Sequence, residues 1–233
     1  MAVPTSSTLA HDVLGPGFIH PKEFADAFEM SYSPEQLAEL ERTLPDRSVT
    51  HWMADNGFML IPGPPAKMTL IEVVRLRPNF FFSRGGGWMA ESKKSCVVSE
   101  DVGCQWLMLC QDVVPESASK STWLEQFQLV SRRKEDFHGK EDDPHHLLLK
   151  LSKKLLVPTA VKTTFGVVVF KTVRGVNLLG EIYARTQSVD ARGLHATVGG
   201  TDSGIGVDMY GGGGRGGFPV GVAAEIVDDH RAS

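Results

Sequence analysis

The stretch "TAVKTTFGVVVFKTVRG", Thr159 to Gly175, decides how this chain folds. Its valines, threonines and phenylalanines are residues that strands favour. Its punctuation belongs to a helix. Thr159 stands where an N-cap would, and Val161, Phe165, Val168 and Thr172 recur at helical spacing. Arg174-Gly175 then offers a basic last turn and a glycine stop. Capping and spacing together favour a helix over a strand.

The chain that follows has a different texture. "EIYARTQSV" (181–189), "LHATVGG" (194–200), "GIGVDMY" (204–210) and "VGVAAEIV" (220–227) are short runs of period-two alternation, separated by Asp, Gly and Ser turns. Links this short are expected to preclude parallel crossovers, so the reading is an antiparallel meander. Two divisions accommodate it. A mixed helical and β part over 1–175 carries a C-terminal antiparallel part over 176–233, or the whole of 1–233 is one continuous unit.

Ahead of Thr159, "SPEQLAELERTLP" (33–45) is the clearest helix. Ser33 is its cap, Pro34 its first residue and Gln36 its capping-box partner, with Leu37, Leu40 and Leu44 as one apolar stripe and Pro45 as the stop. "HPKEFADAFEM" (20–30) and "MTLIEVVRLRP" (68–78) are shorter helix candidates, the second capped by Thr69. Asn56-Gly57 marks a turn and Pro64-Pro65 a rigid elbow. "NFFFSRGGGWMAES" (79–92) reads as strand, glycine turn and strand, and "CQWLMLCQDVV" (104–114) as an apolar strand. "SASKSTWLEQFQLVSRRKE" (117–135) predicts a helix with Leu124, Phe127 and Val130 on one face. The charged, then leucine-rich segment 135–157 reads as an excursion ending in a short amphipathic helix. The expected class is α+β, with several helices packed on an antiparallel sheet and a C-terminal β-meander.

Composition narrows the function classes. Over 233 residues the chain is 42% hydrophobic and 22% charged, ordinary values for a globular protein. A net charge of −4 gives no electrostatic reason to expect nucleic acid or an anionic membrane as partner. The basic run Arg132, Arg133, Lys134 is offset at once by Glu135 and Asp136. Cys96, Cys104 and Cys110 are too few and too unevenly spaced for a disulfide framework or a zinc knuckle. The first residues carry neither the positive start nor the apolar run of a signal peptide. No stretch approaches the ~18 apolar residues of a membrane span. A cytoplasmic location is the expectation.

Several strings are similar to those of a bacterial protein family of environmental and candidate-phylum genomes. They are "PGPPAKMTLIEV", "FFFSRGGGWMAE", "CQWLMLCQDVVPESASKSTWLEQ" and "VRGVNLLGEIYARTQSVDARGLHATVGG". In that family the same pieces follow in the same order: a Pro-Pro elbow, a Gly-Trp strand, a Val-Pro-x-Ser loop, a Trp/Glu/Gln helix and a Tyr-x-Arg-Thr strand. The resemblance spans roughly 57 to 226, with 135–157 resembling an insertion. It implies a single architecture and an auxiliary role. The family has no assigned activity, so the resemblance carries over no site residue.

Candidate sites follow from residue type. The glycine tract of "MYGGGGRGGFPVG" (209–221) reads first as a slack strand connection and second as an anion- or partner-binding loop using Arg215. It lacks the Lys-Ser/Thr of a P-loop. "HGKEDDPHH" (138–146) brings His138, Glu141, Asp142, Asp143, His145 and His146 close in sequence. His138, Asp142 and His145 are the metal-ligand candidates there, against a hydrated acidic loop. Arg185, Asp190, Arg192 and His195 form either cross-strand pairs or an anion-recognition face. Phe80, Phe81, Phe82 and Trp88 either pack in the core or line a ligand groove. Ser83, Ser119 and Ser203 lack a nucleophile elbow. The expected ligand-binding residues are therefore Arg185, Arg215 and Trp88, with no cofactor. The functional expectation is a non-enzymatic accessory protein that binds a protein partner or self-associates. The alternatives are a small metal-dependent hydrolase at the His138–His146 cluster and a small-ligand binder at the Phe80–Trp88 aromatics.

Overall fold

The computed structural model of the chain describes residues 6–82, 99–114, 117, 124–130, 153–179, 182–201, 204–210, 220–222 and 224–228. Four short helices come first: α1 (Ser6–Leu14), α2 (Pro21–Phe28), α3 (Pro34–Arg42) and α4 (Arg47–Asp55). The capping box expected for α3 is in place. The Gln36 N–H donates to Ser33 Oγ at 3.3 Å, and the Ser33 N–H donates to Gln36 Oε1 at 2.9 Å. Helices α1 and α4 go beyond the sequence reading. Asp46 caps α4 by accepting the Val49 N–H at 2.9 Å, and the two helices bury Ala10, Leu14, Val49 and Met53 in one apolar cluster.

The first sheet has the order β1-β4-β10-β5 and is antiparallel throughout. Its strands are β1 (Phe58–Pro62), β4 (Trp106–Cys110), β10 (Glu225–Asp228) and β5 (Lys153–Leu156). Both β1 and β4 are buried on both faces. Phe58, Leu60, Trp106 and Met108 belong to the cluster under α1, α3 and α4, while Met59, Ile61, Leu107 and Leu109 belong to the main core. A two-stranded ribbon, β2 (Met68–Thr69) with β3 (Asp101–Val102), leads into α5 (Leu70–Leu76). Helix α6 covers 124–130.

The helix α7 (Ala160–Arg174) settles the opening conflict. Thr159 Oγ1 accepts the Lys162 N–H, and Gly175 terminates the helix with φ of 72°. The strand-forming residues are there because α7 is buried all round rather than along one stripe. It lies between Met59, Ile61, Leu107 and Leu109 of the first sheet and Ala184, Ala196, Val198, Ile205 and Val207 of a second. Gly166 permits the approach: a Cβ there would meet Leu109 Cδ1 at 2.7 Å and Met59 Cε at 3.3 Å.

The second sheet is the expected C-terminal meander of β6 (Tyr183–Val189), β7 (His195–Thr201) and β8 (Gly204–Tyr210), antiparallel in sequence order. The last expected run departs from the reading. "VGVAAEIV" is two strands, β9 (Val220–Val222) and β10, and they belong to different sheets. β9 lies on the far side of β6 and parallel to it. β8 also runs parallel to β6, so β8 and β9 are parallel strands at the two edges of this sheet, and the expectation that links this short preclude a parallel crossover is corrected. A strand, not a helix, follows the glycine tract.

Three further expectations are corrected. The segment 153–156 is strand β5 rather than amphipathic helix, since pairing Leu155 with Ile226 and Leu156 with Glu225 outweighs local leucine and lysine propensity. In α3 the stripe is partial: Leu40 is buried, but Leu37 is 45% exposed. In α6 it is Gln126 and Val130 that face inward, leaving Leu124 64% and Phe127 41% exposed. Gln126 Nε2 donates to the Ser117 carbonyl at 3.0 Å, and this anchors that orientation.

The Gly166 contact can be tested by size. Gly166→Ala is expected to stay within ~1 kcal/mol of the parent, because gained helix propensity offsets a small shift of the flexible Leu109 end. Gly166→Leu is expected to lose about 2–3 kcal/mol in urea unfolding by forcing the first sheet away.

Candidate functional site

Polar side chains from four separate elements converge at the N-terminus of α7. Lys162 of α7 donates to both carboxylate oxygens of Glu225 on β10, at 3.0 and 2.9 Å. Ser188 of β6 accepts the Ala160 N–H at 2.7 Å and donates its own O–H to Glu100, the residue before β3. The Gln187 N–H adds a bond to the Pro158 carbonyl at 3.1 Å. This polar seam joins both sheets, the ribbon and the central helix at one point.

Its electrostatics follow from burial. Glu225 is 2% exposed, and desolvation pushes its carboxyl above the ordinary value of 4.5 against the pull of Lys162. Glu100 is half-buried and is likewise raised by desolvation, opposed by Ser188 and Lys162. The seam is also saturated. Ser188 Oγ is both donor and acceptor, and Lys162 spans both oxygens of Glu225. Such a serine is held in place rather than poised to attack.

The outer face of the second sheet carries a second group. Tyr183 lies across two glycines, since a Cβ on Gly199 or Gly206 would fall 2.8–2.9 Å from its atoms. Arg185, Thr197 and Asp208 share the next row. His195 Nδ1–H donates to the Thr186 carbonyl at 2.8 Å, and burial lowers its pKa from 6.5, helped by the Arg185 charge. Arg185 is 4% exposed, so it is part of the sheet's packing as well as its face.

A third feature is an open cleft of ≈ 670 Å³ between α1, α2 and α3, lined by Ser7, Thr8, His11, His20, Glu23 and Glu41 over Phe18. His20 caps α2 by accepting the Lys22 N–H on Nδ1 at 3.1 Å. Arg174, at the end of α7, reaches this wall. It binds both Glu23 oxygens at 2.8 and 3.1 Å and the carbonyls of Pro16 and Phe18, and so holds the Glu23 carboxyl below its usual value.

The residues singled out from sequence are placed as follows. Asp190 and Arg192 pair with each other in the β6–β7 turn at 2.8–2.9 Å, where Asp190 also accepts the Arg192 and Leu194 N–H groups. They do not meet Arg185. Phe81 bridges to Ile205 and is buried, Phe80 lies under Lys171 with Nζ 5.0 Å from its ring centroid, and Phe82 is exposed. Trp88, Arg215, Ser83, Ser119, Ser203, Cys96, His138, Glu141, Asp142, Asp143, His145 and His146 lie outside the described residues. Cys104 is half-buried and Cys110 buried, both as free thiols. Among the described residues no group of His, Cys, Asp and Glu is arranged to hold a metal ion. None of their helices is long and apolar enough to cross a membrane.

Sequence reasoning missed Glu100, Lys162, Ser188 and Glu225. One clue was available: Lys162 and Glu225 are opposite charges, each lodged in an otherwise apolar run. Nothing local pairs them across 63 positions. No protein-family model, curated protein or solved structure matches the chain.

Two measurements probe the seam. Glu225→Ala leaves Lys162 with neither counter-charge nor acceptor and is expected to cost about 3 kcal/mol, whereas Lys162→Met with Glu225→Leu together should match or exceed the parent. Because the folded pKa values of Glu225 and Glu100 are raised, their stabilising contribution is complete below the ordinary value of 4.5. It is lost as pH climbs through the raised values. Urea unfolding from pH 4.5 towards 7.5 should show that decline, and Glu100→Gln, which still accepts from Ser188, should flatten it.

Proposed function

We propose that the protein is a non-enzymatic accessory protein that acts by binding. The observation that carries this reading is the contrast between its two polar concentrations. In the seam, the lysine and the serine are each bonded to a carboxylate, and all four groups are buried or half-buried. In the cleft, hydroxyls, imidazoles and carboxylates from three helices stand at the surface around a volume within the usual range of ligand sites. The first arrangement holds a fold together, and the second recognises without reacting. Free thiols at Cys104 and Cys110 accord with a reducing cytoplasm as its setting.

Thermal-shift measurement over a panel of small ligands should give at least one saturable rise in melting temperature. The rise should vanish in Thr8→Trp, which fills the cleft. Ester hydrolysis by the parent that Ser188→Ala abolishes would refute the reading.

A further inference from the structure

We draw no further inference here: the strongest candidate, the side-chain cluster of Glu100, Lys162, Ser188 and Glu225 at the start of α7 taken as a pH-sensitive latch, belongs to the site already described, and its switching rests on the titration of two carboxylates alone.

Discussion

The structure depends on one close packing, that of α7 between two sheets. A helix covered on every side cannot be amphipathic, so α7 spends valine, threonine and phenylalanine where a surface helix would carry leucine and alanine. Apolar burial of this extent supplies the main driving force. The first sheet packs close against α7, and at Gly166 the missing Cβ leaves room for the ends of Leu109 and Met59. The first sheet then has a second layer, α1, α3 and α4, on its other face, and the second sheet is left with a polar outer face around Tyr183 and Arg185.

Burying the start of α7 creates an electrostatic problem that the seam answers. The orphan N–H of Ala160 has no water to meet, and Ser188 of the neighbouring sheet accepts it. Lys162, two residues on, is half-buried, and β10 brings the buried Glu225 to it. The same groups that tie α7 to both sheets are thereby used up. At the far end of the helix Arg174 makes a parallel tie to Glu23 and the carbonyls of the α1–α2 connection. Both ends of α7 are anchored by charge, and its middle by packing.

Much of the architecture was legible locally. Ser33, Pro34 and Gln36 announce α3 because a cap, a fixed φ and a capping box act within four residues. Thr159 and Gly175 bound α7 for the same reason. Alternation in 183–189, 195–201 and 204–210 marks the meander. The errors cluster where a partner distant in sequence decides. "LSKKLL" becomes a strand because β10 pairs with it, and Leu124 and Phe127 face outward because Gln126 finds the Ser117 carbonyl. The candidate site was less legible than the fold. Arg185 and His195 were singled out and do share one sheet face, but the seam and the cleft were not foreseen, since each is assembled from three or four elements.

The sequence by itself determined the α+β class, the helix at 160–174, the caps of its clearest helices and the β-meander, because capping and periodicity are interactions between near neighbours. Only the tertiary structure decided that β9 runs parallel to β6, that β10 returns to the first sheet, that Lys162 meets Glu225, and that Glu41 and His11 line one cleft. Those juxtapositions depend on how whole elements pack. A side chain's own neighbours in the chain carry no record of that.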